Sequence, residues 1–241
     1  STGLFAENGT INITGGSIKT SDKAFNLYAK GSTGVITLNN VTTETGQGSL
    51  LFYNENGGSF NLSNVNSVVK GGTDSTNRGT AFYYTGTGTL PSLTTTDLSN
   101  YFNTVFNGTA GNLTLNMESG SRLFIVDNVS ISLSTTSTPL GSIAGGPAVN
   151  GSDYKTYMMY KSSLDINQGV NLDNTNDAYK LLEISTSSIK NSGQNITGTG
   201  SGQVAMAQEN GLDTGGAALA RSTVSLINDA GNITLNGASS V

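Results

Sequence analysis

Few side chains in this sequence can do covalent chemistry. Its 241 residues include 16 Asp and Glu and 11 Lys and Arg, but neither His nor Cys. Without an imidazole, no Ser-His-Asp or Cys-His machinery can be assembled. Without thiols or imidazoles, zinc and thiol chemistry are excluded as well. Glycosidic cleavage remains open, because it needs only two carboxylates roughly 5–9.5 Å apart. Asp165, Asp173 and Asp177 are the nearest candidates for such a pair. They form no tight cluster with a basic partner, so the catalytic reading is the weaker one.

The run Asp173-Asn174-Thr175-Asn176-Asp177 offers oxygen ligands. It lacks the alternating spacing and distal Glu of a calcium loop, so it reads as a polar turn. Gly198-Thr199-Gly200-Ser201-Gly202 lacks the Lys and following helix of a phosphate loop and also reads as a turn. No cofactor is expected. Asn-x-Ser/Thr sequons, such as those at Asn8, Asn112 and Asn128, follow from an Asn- and Thr-rich composition. They would matter only in a eukaryotic secretory host. Net charge is −5 and basic residues are scattered singly, which argues against nucleic acid. No run of about 18 apolar residues is present, so nothing is expected to insert in a membrane. No signal peptide opens the sequence.

The elements that would position any site are strands. In Val35-Ile36-Thr37-Leu38-Asn39-Asn40-Val41-Thr42 the apolar residues alternate, so Ile36 and Leu38 share one face and Thr37 takes the other. Versions recur at Ile11-Asn12-Ile13, Phe60-Asn61-Leu62, Leu113-Thr114-Leu115, Leu164-Asp165-Ile166 and Ile233-Thr234-Leu235. The first two steps are 25 and 24 residues, and the later ones are 53, 51 and 69, roughly two or three units with extra residues. Such a period points to a solenoid or propeller. A second apolar run precedes each unit, as at Leu50-Leu51-Phe52-Tyr53, and a shorter one follows, as at Val65. Three short strands and three corners per turn make one rung of a parallel β-helix, stable only when stacked. Gly15-Gly16, Asn39-Asn40 and Asn56-Gly57-Gly58 suit the corners, since Gly and Asn tolerate positive φ. Hydrophobic residues are only 35%, yet the 8 Phe and 9 Tyr, mostly in strand runs, need a core.

The repeat is expected to be interrupted by insertions at 68–79, 86–110, 134–156 and 209–222. In the second, Thr94-Thr95-Thr96-Asp97 resembles a capping box. Leu98, Tyr101, Phe102, Val105 and Phe106 then fall on one helical stripe, and Asn107-Gly108 can end the helix. This predicts an amphipathic helix of about three turns, docked on the side of the coil. As an add-on, it should be replaceable between Gly86 and Thr109 by a short turn. Asn150 to Lys155 reads as a loop tip, and Ala217 to Arg221 as either a short helix or a strand. Both ends stop inside the pattern, which suggests one segment, 1–241, cut from a longer repeat protein.

Gly3-Leu4-Phe5-Ala6-Glu7-Asn8-Gly9-Thr10-Ile11-Asn12-Ile13, and later Ser225-Leu226-Ile227-Asn228-Asp229-Ala230-Gly231-Asn232-Ile233-Thr234-Leu235, resemble passenger repeats. The repeats are those of large monomeric autotransporter adhesins from oral anaerobic Gram-negative bacteria. The resemblance covers most of the chain outside the interruptions. It implies a right-handed β-helix stalk at the bacterial surface, held by a C-terminal membrane barrel outside this chain. It implies a non-enzymatic, monomeric role in attachment to other bacteria, host glycans or host receptors. It supplies no short motif that assigns ligand-binding residues. Two alternatives stand beside it: a carbohydrate-active β-helix enzyme, and a structural spacer without a ligand.

Overall fold

The fold comes from a computed structural model. It describes residues 1–73, 76–85, 92–93, 95–128, 130–132, 144–151 and 154–160, and beyond these only strand segments between 163 and 240. Among the described residues strands predominate and pair in parallel, and one α-helix interrupts them. The chain divides into two compact units.

In the first unit the strands come in threes. They are β1 (Thr2–Glu7), β2 (Thr10–Thr14) and β3 (Ser17–Lys19); β4 (Phe25–Lys30), β5 (Val35–Asn39) and β6 (Thr42–Glu44); and β7 (Leu50–Glu55), β8 (Ser59–Ser63) and β9 (Val65–Val69). Each strand pairs with its counterpart in the next repeat. β1 pairs with β4 and β4 with β7, β2 with β5 and β5 with β8, and β3 with β6 and β6 with β9. β10 (Thr80–Thr85) follows β7 in the first sheet. Three parallel sheets thus grow together, each repeat adding one strand to each.

The expected alternation places the core. Ile36 and Leu38 are fully buried, and Val35, Thr37 and Asn39, which alternate with them, are half-buried. Leu38 stands in register with Ile13 and Leu62, and Ile36 with Ile11 and Phe60, so the apolar residues form columns. Leu27, Phe52 and Phe82 make a further column in the first sheet. Burying a leucine of this kind contributes roughly 1.5–3 kcal/mol. The corners take the expected conformations. Gly15 and Gly16 have φ of 72° and 87°, and Asn40 and Asn64 take 53° and 49°. Asn64 Nδ2 also donates to Asn40 Oδ1 at 2.7 Å, so this corner carries a short amide ladder.

Three features differ from the sequence reading. First, Leu113-Thr114-Leu115 does not continue the Ile11, Ile36 and Phe60 column. Its strand, Leu113–Met117, pairs with β9, with Leu113 opposite Val65, and then with Ala148–Asn150. Alternation is the same in all three sheets, so it cannot tell one column from another. In the second unit, similarly, Leu164 lies between Ile131 and Ile189, whereas Ile233 belongs with Val170 and Ile196. Second, Val68 and Val69 finish β9, so the expected loop at 68–79 starts after them. Strands Ala148–Asn150 and Lys155–Tyr160 likewise enter the expected interruption at 134–156. The one expected at 209–222, with Ala217 to Arg221, lies outside the described residues.

Third, helix α1 (Thr95–Val105) is no accessory. Leu98, Tyr101, Phe102, Val105 and Phe106 are all buried, as the stripe predicts. They pack on the core itself, not on the outside of a finished wall. The Phe106 ring lies 5.1 Å from Phe52, 5.4 Å from Phe60 and 5.6 Å from Phe82, and Phe102 lies 5.2 Å from Phe82. Asn107 and Gly108 stop the helix with positive φ, and the Gly108 N–H reaches back to the Asn103 carbonyl. β8 is the last strand of its sheet, and the chain after α1 covers its open edge. Thr109 Oγ1 accepts the Leu62 N–H at 2.9 Å, and Asn112 Nδ2 donates to the Leu62 carbonyl at 3.0 Å. The capping box proposed for Thr94 to Asp97 lies outside the described side chains.

The second unit repeats the parallel scheme. Lys155–Tyr160, Leu182–Ser185 and Met206–Gln208 pair in turn, as do Val170–Asp173, Ile196–Thr199 and Ile233–Leu235. Ser92–Leu93, Ser130–Ser132, Ser163–Ile166, Ser188–Ser192 and Ser225–Asp229 form a third series.

Candidate binding face

The first sheet of the first unit turns a regular face outward. Phe5, Tyr28 and Tyr53 stand in register on β1, β4 and β7, and Tyr83 follows on β10. Their rings form a continuous column, with centroids 4.7, 4.9 and 5.3 Å apart. Phe25 joins from the side, 5.0 Å from Tyr53. The tyrosines are half-buried and Phe5 is 44% exposed. Two residues further along each strand, on the same face, lie Glu7, Lys30 and Glu55, again in register. Lys30 Nζ is 3.1 Å from Glu7, and the Tyr28 hydroxyl donates to the Glu55 carboxylate. Burial and then that hydrogen bond push the Tyr28 hydroxyl well above the ordinary tyrosine pKa, so it stays a donor. The Glu7 carboxylate hydrogen-bonded to Lys30 raises the Lys30 pKa and keeps it charged.

A second charged column edges the third sheet. Lys19, Glu44, Lys70 and Glu118 alternate, with gaps of 3.0, 3.6 and 2.7 Å. The hydrogen bond from Lys19 holds Glu44 below the usual carboxylate range, and the one to Glu118 raises Lys70. Asn66, Asn116 and Asn150 make an amide ladder on the same sheet, with side chain bonded to side chain.

Of the acidic residues singled out from sequence, two lie on strands of different sheets. Asp165 lies in strand Ser163–Ile166, in register with Ser132 and Lys190, whereas Asp173 ends Val170–Asp173 in another sheet, opposite Thr199. Asp177, with the rest of the polar turn 174–177, lies outside the described residues. Gly198 and Thr199 end one strand and Gly202 begins another, and Gly200 and Ser201 lie outside the described residues. Asn8 and Asn128 adopt positive φ, and the Asn112 amide is spent on the β8 edge. Among the described residues, no group of three acidic, His or Cys side chains could hold a metal ion.

The aromatic column escaped sequence reading, although its signal was there. Phe5, Tyr28, Tyr53 and Tyr83 recur at nearly the repeat length, with Glu7, Lys30 and Glu55 two residues behind the first three. Treating every aromatic as core hid them. Comparison with protein families, curated proteins and solved structures finds no match to this chain. Among the described residues, no helix is long and apolar enough to cross a membrane.

Proposed function

We propose that this chain is a segment of right-handed parallel β-helix, with three short strands per turn, that serves as a non-enzymatic adhesive part of a bacterial surface protein. Its partners would be glycans or proteins on other bacteria or on a host. The cyclic order of strands supports the β-helix: each repeat feeds the first, second and third sheet in turn, in register with the repeat before. The resemblance to passenger repeats of autotransporter adhesins supports the surface role.

The observation that carries adhesion is the outward column of Phe5, Tyr28, Tyr53 and Tyr83 beside Glu7, Lys30 and Glu55. Aromatic side chains with a polar handle are favoured contact residues because they bury much area at small entropic cost. One observation favours the spacer reading instead. The rings are tilted against each other, Tyr28 on Tyr53 at 63° and Tyr53 on Tyr83 at 74°, so they spend much of their surface on one another. Binding of labelled chain to a glycan panel and to bacterial and epithelial cells separates the readings. Adhesion predicts retention that drops in the folded double variant Tyr28→Ala, Tyr53→Ala. Equal retention of both forms moves the site elsewhere, no retention leaves a spacer, and turnover of a polysaccharide favours the enzyme.

A further inference from the structure

The aromatic column of the first sheet carries a charged row beside it. Glu7, Lys30 and Glu55 stand in register, two residues along from Phe5, Tyr28 and Tyr53. Two carboxylates flank one ammonium, so the row is negative by one charge. Lys30 Nζ lies 3.1 Å from Glu7, and both the Tyr28 hydroxyl and Asn56 Nδ2 donate to Glu55. These donors are spent on carboxylates of the same row. Each carboxylate has about four acceptor sites, so Glu7 and Glu55 keep capacity to accept more. The face is also lateral to the stack. Repeats add at the sheet edges, so a neighbouring repeat lengthens this column and does not cover it.

That chemistry selects a ligand. Aromatic rings present a negative face that attracts a cation within about 6 Å of the centroid. Rings, carboxylate acceptors and a net negative row together suit a group that only donates. Guanidinium is such a group, and it also stacks on aromatic faces. A glycan hydroxyl gains less here, and an anionic glycan meets like charge. Tyr28 and Tyr53 are inclined at 63°, and Tyr53 and Tyr83 at 74°, so neighbouring rings share no plane on which a sugar could lie. The whole chain, at net charge −5, steers a cationic partner towards itself.

We propose, on the reading of this column as a contact surface, that it takes an arginine-bearing segment of a partner protein. The guanidinium lies against the tyrosine rings and bonds the Glu55 carboxylate. Lys30, between Glu7 and Glu55, competes with it for the same two carboxylates.

Two probes test this: a blocked pentapeptide of alternating glycine and arginine, and the same peptide with citrulline, the neutral isostere of arginine. Titrated into the whole isotope-labelled protein, the arginine peptide should shift amide resonances of β4 and β7 and leave α1 unmoved. It should bind about tenfold more tightly than the citrulline peptide. Glu55→Gln, with its fold checked by circular dichroism, should remove most of that difference. Glu44→Gln, in the charged column of the third sheet, should leave it intact. Lys30→Gln removes the competing cation and keeps both carboxylates, so arginine binding should tighten severalfold, a gain that misfolding would not produce. Equal binding of the two peptides overturns the proposal, as does an arginine preference that survives Glu55→Gln. Glycan or cell retention that drops in Tyr28→Ala, Tyr53→Ala without any arginine preference also overturns it, while leaving the adhesive reading in place.

Discussion

β8 is flanked in two different ways. On one side lies β5, joined to it backbone to backbone in strict register from Val35↔Ser59 to Asn39↔Ser63. On the other lies the insertion, which reaches the edge with Thr109, Asn112 and Asn107 side chains and presses Phe106 onto Phe60. The first contact tolerates many sequences, because backbone groups are the same in every residue. The second depends on particular side chains at particular positions. A repeat stack can therefore be interrupted only where the interrupting segment brings its own donors, acceptors and apolar surface.

The largest effect should come from the side that depends on backbone pairing. Leu38 is fully buried between Ile13 and Leu62, so Leu38→Asp places an unpaired carboxylate in the core. A loss of about 4 kcal/mol or more is expected, among the largest single-residue effects. Thr37→Asp, one residue away on the outward face, should cost little. Thermal melts that coincide for the two variants would mean the register is wrong.

Close behind should come Phe106→Ala, at about 3–5 kcal/mol for a buried phenylalanine. The ring is completely buried among Phe52, Phe60 and Phe82. Replacing Gly86 to Thr109 by a short turn should collapse the first unit, since it would uncover the same rings. If that deletion variant melted like the parent, α1 would be the accessory that the helical stripe first suggested.

A smaller loss, about 1–3 kcal/mol, is expected for Thr109→Val, which keeps the shape and removes the acceptor for the Leu62 N–H. Denaturant titration should show the change. Hydrogen exchange should localise it to β8 and not to β2.

The smallest effect belongs to the exposed charge columns. Glu44 titrates below its ordinary value of 4.5, so its contribution is complete above that pH and fades as the pH falls through the lowered value. Lys70 titrates above its ordinary value of 10.5, so its contribution is complete below that pH and fades as the pH rises through the raised one. Stability should form a plateau between those limits. Lys70→Gln should cost about 1 kcal/mol or less, and less again in high salt. A midpoint that ignores both pH and salt would show that the pairs contribute nothing.

Much of this fold was legible in the residues. Alternation at Ile36-Thr37-Leu38, the 25- and 24-residue steps, and Gly or Asn at the corners determined parallel strands with one inner face. The stripe from Leu98 to Phe106 determined a helix with a buried side. These are local properties, written in side-chain period and backbone freedom, and a reader of the chain needs nothing else. The tertiary structure decided which column each strand joins, because Leu113 has the same pattern beside β9 as it would have had beside β8. It decided that α1 completes the core, because a helical stripe does not say what it faces. It decided that Tyr28, Tyr53 and Tyr83 point outward, because an aromatic in a strand run serves core and surface alike until its neighbours across the sheet are known. Period is a property of one segment. Partner choice depends on segments far apart in sequence, and only their packing fixes it.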